Sequence, residues 1–205
     1  MDFNIYVGLD PSLAAFGISI IDIKNKKIIL DQFKADDHHN FIFMSWSISN
    51  LYNAIYNKYK EYLYNANSYI GQEAPIASGI NSGKLNALGY AFYSNLGLQS
   101  GYERIKTYHP IKLKVFHHTK KYDKKLTIAV IEDILDIFKT NGYDIDIKYS
   151  RTKKSISITD GEADSMMYCI KQYLDNEDNE ITKAIINKYP NFSKIISNEE
   201  LINNG

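Results

Sequence analysis

Residues 4–33 read NIYVGLDPSLAAFGISIIDIKNKKIILDQF, and this stretch decides the fold. NIYVGL is a short, nearly unbroken apolar run, the pattern of a strand buried on both faces. Asp10-Pro11-Ser12 ends it, because proline lacks a donor and restricts the residue before it. FGISIIDI and KIILDQF are two further strand runs. The polar connection Lys24-Asn25-Lys26 between them is short enough for a hairpin turn. Three antiparallel strands in succession make a meander.

Downstream the pattern changes to alternating helices and strands. Within 41–64, Ile48, Leu51, Ile55, Tyr59 and Leu63 recur at intervals of three and four, one apolar helix stripe. Residues 68–72 (SYIGQ) form a compact strand leading to Glu73. A loop with Pro75 and Gly79 follows, then a small-residue helix over 83–99 and a strand over 104–108. Pro110 suits the first turn of a short helix reaching Phe116. Residues 124–139 predict a strong helix, with Ile128, Ile131, Ile134, Leu135 and Phe138 on one side and Gly142 as the stop signal. Residues 143–158 alternate twice around a basic SRTKK, which predicts a β-hairpin. The last well-marked helix covers 160–174. The expected organisation is one domain over 1–175 and a peripheral, polar C-terminal segment over 176–205.

Composition narrows the classes. Hydrophobic residues at 44% exclude a disordered chain. No apolar run approaches the roughly 18 residues of a membrane span. The first residues lack a secretory pattern, and the single Cys169 excludes an intrachain disulfide or a multi-cysteine metal site. A reducing cytoplasm is the expected compartment. The richness in Ile, Asn, Lys and Tyr hints at an AT-rich genome, hence at a phage or virus protein in host cytoplasm.

The formal net charge is zero, with 24 basic and 24 acidic residues, so any nucleic-acid role must rest on local charge. Between Glu103 and Lys125, eight Lys and Arg oppose two acids. Between Asp160 and Glu180, seven acids face only Lys171. One explanation is an anionic partner on the first stretch and a cation site on the second; the other is two solvated faces.

Acidic residues also sit at the ends of elements. Asp10 ends the first strand and Glu73 the fourth; Asp160 and Asp164 open the last helix. Positions i and i+4 share a helix face, so Asp160 and Asp164 can address one spot, while Glu162 points mostly away. Converging carboxylates stay ionised only beside a cation, and an all-oxygen set favours Mg²⁺ or Mn²⁺. Each acid alone has a simpler explanation: a turn residue before proline, a surface charge, an N-cap. The ordered set favours a joint role.

These residues resemble a family. GLDPSLAAFGISIID (8–22) resembles the first motif of RuvC-type Holliday-junction resolvases. IGQEAPIASGINSGKLNALGYA (70–91) resembles the second, and DGEADSMMYCIKQY (160–173) the third. The resemblance runs from about Ile5 to Leu174. It implies a ribonuclease H-like α/β fold, a mixed five-stranded sheet flanked by helices, with the hairpin inserted before the last core helix. It implies a homodimeric, structure-selective endonuclease of DNA recombination and repair, resolving four-way junctions by two-metal-ion hydrolysis. Asp10, Glu73, Asp160 and Asp164 would be the catalytic, metal-binding tetrad for two Mg²⁺ ions, with Mn²⁺ able to substitute. Lys114, Lys120, Lys121, Lys124 and Lys125 would contact DNA phosphates.

There are three departures. Gly161 stands where many members carry an acid or histidine three residues before the final Asp; Asp160 replaces it here, with Glu162 the alternative. Ala74-Pro75-Ile76 stands where some resolvases carry an aromatic wedge. The 143–158 insertion is longer than usual, as in divergent phage and viral members. Two other readings use the same fold: an actin- or sugar-kinase-like phosphotransferase, and a nucleic-acid-binding protein without catalysis. The first would need a second Gly-rich phosphate loop, which the chain lacks. The paired histidines and Cys169 read more simply as solvated and core residues.

Overall fold

The computed structural model describes residues 5–12, 14–35, 41–74, 82–109, 124–147 and 158–194, the side chains of 41–45, 82–85 and 194 excepted. Among these, six strands form one mixed sheet: β1 (Ile5–Asp10), β2 (Phe16–Asp22), β3 (Lys27–Phe33), β4 (Ser68–Glu73), β5 (Ile105–Tyr108) and β6 (Asp144–Ile147). Five α-helices flank it: α1 (Phe41–Leu63), α2 (Ser82–Ser100), α3 (Lys124–Thr140), α4 (Asp160–Asn176) and α5 (Glu180–Lys188). The strand order is β5-β4-β1-β2-β3-β6. β1, β2 and β3 form the expected antiparallel meander, and β4 joins β1 in parallel. None of the described helices is long and apolar enough to cross a membrane.

The continuous apolar runs are explained by burial on both faces. Odd positions of β1 (Ile5, Val7, Leu9) pack with Leu51, Ile55 and Tyr59 of α1 and with Leu88, Phe92 and Leu96 of α2. Tyr6 of β1 points the other way, into a cluster with Ile131, Ile134 and Phe138 of α3 and Met166, Cys169 and Tyr173 of α4. Successive side chains alternate across a sheet, so both faces of β1 must be apolar. α4 is buried from Gly161 through Tyr173, because the sheet covers one side and α3 and α5 the other.

The backbone of α4 lies directly on the central strands. A β-carbon on Gly8 would stand 1.9 Å from the Ser165 carbonyl oxygen, and one on Gly17 1.8 Å from that of Gly161. One on Gly71 would stand 2.7 Å from the Tyr168 carbonyl oxygen. Three neighbouring strands thus each carry a glycine under the same helix. Gly161 returns the contact, since a β-carbon there would meet the Ala15 carbonyl oxygen at 2.5 Å.

Two expectations change. The first arm of the expected hairpin is β6, a sixth strand of the main sheet that pairs in parallel with β3 from Lys27↔Asp144 to Leu30↔Ile147. Gly142, at φ +85°, turns the chain out of α3, and Asp144 N–H donates to the Lys26 carbonyl at 2.8 Å. Alternation in the sequence marks a strand but cannot name its neighbour. The hairpin's tip and most of its second arm, 148–157, lie outside the described residues, as does the short helix expected over 110–116.

The second change concerns the C-terminal segment expected to be peripheral. Ile181, Ile185 and Phe192 are buried in the same cluster as α3 and α4. Asn179 caps α5 by accepting from the Ile181 and Thr182 N–H groups, both at 3.0 Å. Asp133 of α3 ties the helix end down, accepting from Lys188 at 2.6 Å and the Tyr189 hydroxyl at 2.7 Å. Residues 195–205 lie outside the description.

Adding a methyl group under α4 should lift it from the sheet. Gly17→Ala is expected to cost about 3 kcal/mol or to prevent folding, because its neighbour is backbone rather than a movable side chain. A urea titration of this variant against Ala87→Gly, an exposed glycine substitution on α2, checks it; equal, small losses would refute the contact.

Candidate active site

β1 and β4 run parallel with Leu9 level with Gln72, so Asp10 and Glu73, the next residue of each, end adjacent strands side by side. Neighbouring strands stand about 4.8 Å apart. Both carboxylates belong to the face that carries α4: Asp10 has the parity of Gly8, and Glu73 that of Gly71. Glu73 is also level with Tyr108, whose ring stacks on Tyr168 of α4 with centroids 6.3 Å apart. The Ala74 N–H donates to the Tyr108 carbonyl at 2.8 Å, holding the β4 backbone just past Glu73.

The same level continues across the sheet. Asp10 pairs with Gly17 and Gly17 with Gln32. Gly17 admits the first turn of α4, which brings Asp160 and Asp164 to the ends of the central strands. Asp10 and Asp164 are each 8% exposed, so neither is a solvated surface charge. The Asp160 side chain is more open, at 31%.

Thr159, not Asp160, is the N-cap of α4. Its hydroxyl accepts from the Glu162 N–H at 3.3 Å, and the Glu162 carboxylate accepts from the Thr159 N–H at 2.7 Å, a capping box. This occupies Glu162, the alternative fourth acid, in starting the helix; its residue is fully buried. Asp160, relieved of capping, sits in the first turn, where a negative charge also favours the helix dipole. Gly161 leaves no room for an acidic side chain, because a β-carbon there would meet the Ala15 carbonyl oxygen at 2.5 Å.

Lys124, the first residue of α3, donates to Asp160 Oδ2 at 2.8 Å. That hydrogen bond, with the charges of Asp160, Asp164 and Asp10 acting beyond it, holds the ammonium above its ordinary pKa against a partial loss of hydration. Three of the four expected acids therefore act on one cation. The sequence placed Lys124 with the DNA-contacting lysines; it did not place it against the carboxylates. The available signal was a lysine opening a helix with no acid in its first turn, against the dipole.

Lys125 opens the same helix. Lys114, Lys120 and Lys121, the loop after Ala74 with Ile76, and the paired histidines lie outside the described residues. The acidic stretch 160–180 divides in use. Its later members are structural: Asp175 pairs with the buried Lys171, and Glu177 accepts from the Tyr6 hydroxyl at 2.6 Å. Cys169 is fully buried and donates to the Tyr6 carbonyl; burial pushes its thiol far up, so it is no nucleophile.

The donor set suits a hard divalent cation: oxygen only, two members nearly buried, and an ammonium already drawn to it. Among the described residues no three acidic, histidine or cysteine groups close on one point at metal-ligating distance. Asp160 is held by Lys124 instead.

No family model matches the sequence, and no curated protein matches it. Solved structures are similar. RuvC of T. thermophilus in complex with a Holliday junction substrate matches with a TM-score of 0.51 at 10% identity, over 94% of this chain and 98% of that one. Another Thermus thermophilus RuvC structure gives 0.48 at 12%, over 94% and 99%. A human cytomegalovirus terminase nuclease domain gives 0.32 at 14%, over 92% and 83%. The chain has the ribonuclease H-like fold, shared with RuvC.

Glu162→Ala should cost about 1–2 kcal/mol through the capping box. Denaturant melts read this, and Glu162→Gln, which keeps an acceptor oxygen, should recover most of it. A Glu162→Ala protein as stable as the parent would remove the structural assignment.

Proposed function

We propose that the chain is a structure-selective endodeoxyribonuclease that cleaves branched DNA, with the four-way junction as its substrate class. What supports this reading is that Asp10 and Glu73 end adjacent parallel strands and that the acid-bearing first turn of α4 lies against β2 at the same end of the sheet. Four carboxylates there repel a phosphodiester unless cations intervene, so the arrangement calls for a metal-assisted reaction. Asp10, Glu73, Asp160 and Asp164 would hold two Mg²⁺ ions, with Mn²⁺ as a substitute. Bound there, the ions would supply Lewis acidity to activate water and to stabilise the leaving 3′ oxygen.

The chain's own residues do the rest. The carboxylates fix where the scissile phosphate must lie, at the strand ends. The nearly buried Asp10 and Asp164 are positioned by a packed helix and a central strand, so they can present lone pairs with little reorganisation. Lys114, Lys120, Lys121, Lys124 and Lys125 would neutralise backbone phosphates, which orients DNA by shape and not by base sequence. RuvC, the neighbour solved with a Holliday junction, supports that substrate class. A four-way junction has near two-fold symmetry, and a homodimer would bring two such sites to two strands.

Asp10→Asn and Glu73→Gln should each lower Mg²⁺-dependent cleavage of a synthetic four-way junction by at least about a thousandfold. Junction affinity in a gel-shift assay should change little. Cleavage at the parental rate in either variant would reject the site. Binding should weaken steeply between about 50 and 200 mM salt. A panel of four-way, three-way, flap and linear DNAs tests the substrate class; equal cleavage of linear duplex would reject it.

A further inference from the structure

We infer that Lys124 is a built-in counter-cation that holds Asp160 in the absence of metal and must give it up when a divalent ion binds. This rests on the carboxylate site just proposed and concerns how that site is loaded. The geometry is direct. Lys124 Nζ lies 2.8 Å from Asp160 Oδ2, a full charge-assisted hydrogen bond. Asp160 stands one helical turn before Asp164 on the same face of α4, so the ammonium is bound at the acid-bearing first turn of that helix. A single positive charge thereby offsets part of a repulsion that four acids would otherwise feel in full.

Its position is costly for its own helix. Lys124 and Lys125 open α3, whose first turn carries no acid, so both oppose the positive end of the helix dipole. The gain that keeps Lys124 there lies across the gap, on α4. Its side chain is 61% exposed, so nothing packed prevents it from swinging away. A divalent ion and an ammonium cannot share one carboxylate oxygen without strong repulsion. Metal entry therefore releases Lys124, and the freed ammonium lies beside the place where a phosphate would be cleaved. The device makes metal binding weak in the free protein and couples it to an anion that can take over the lysine.

Mn²⁺ titration calorimetry on the full chain without DNA tests this. Wild type should bind Mn²⁺ weakly, and Asp10→Asn should weaken it further. Lys124→Met should bind about tenfold more tightly, the order expected when one charge a few Å from a divalent ion is removed through water-like screening. Lys124→Arg should match wild type, and Lys183→Met, at an exposed lysine of α5 paired with Glu180, should change nothing. In thermal melts, Mn²⁺ should raise the Tm of Lys124→Met more than that of wild type at the same concentration. Unchanged or weaker binding by Lys124→Met, with wild type still binding, overturns the counter-cation and leaves the nuclease reading standing. Absence of Mn²⁺ binding in both proteins overturns the two together.

Discussion

The structure depends on how closely the backbone of one helix lies on the centre of the sheet. α4 rests on β2, β1 and β4 through Gly17, Gly8 and Gly71, with no side chain between helix and strand at those points. Ser165 of the helix and Ser19 of β2 share a hydrogen bond of 2.7 Å within this contact. Ordinary side chains would hold the layers about 10 Å apart. Here the first turn of α4 instead comes down to the level where β1 and β4 end. The position of Asp160 and Asp164 relative to Asp10 and Glu73 is a consequence of that approach. Close packing also makes it rigid, because interiors respond to a misplaced methyl group with strain and not with flow.

Electrostatics then sorts the acids that packing brings together. Glu162 is consumed in the capping box with Thr159, which pins where α4 begins and therefore where Asp160 stands. Asp175 and Glu177 are consumed at the far end of the helix by Lys171 and Tyr6. What remains at the strand ends is a group of acids, and Lys124 binds one of them, Asp160. A buried or half-buried carboxylate cluster is stable only while something positive offsets it. Lys124, the first residue of a neighbouring helix, supplies such a charge to Asp160.

The parts of the fold that were legible share one property: their signal is local. The runs of β1, β2 and β3, the turn at residues 24–26 and the stripes of α1 and α3 depend on neighbours within one element. Asp22 shows why the turn reads so well, since its carboxylate accepts from both the backbone and the side chain of Asn25. β6 read correctly as a strand and incorrectly as half of a separate hairpin, because alternation does not say which edge a strand will join. Residues 176–205 read as polar and peripheral, with some helical patterning around 181–189, since Ile181, Ile185 and Phe192 are few among many Asn and Lys. Three apolar side chains suffice when α3 and α4 already offer a surface to cover.

For the site, the residues by themselves singled out the candidate acids: those at the ends of two strand runs and at the start of one helix. Only the tertiary structure decided what each acid does. It gave Glu162 to the helix cap, kept Gly161 against the sheet, and set Lys124 on Asp160. The reason is distance along the chain. Lys124 and Asp160 are 36 residues apart, and Asp10 is 150 residues from Asp160. Pattern within one element fixes the direction of a side chain, but partners that far away are chosen by how the layers pack.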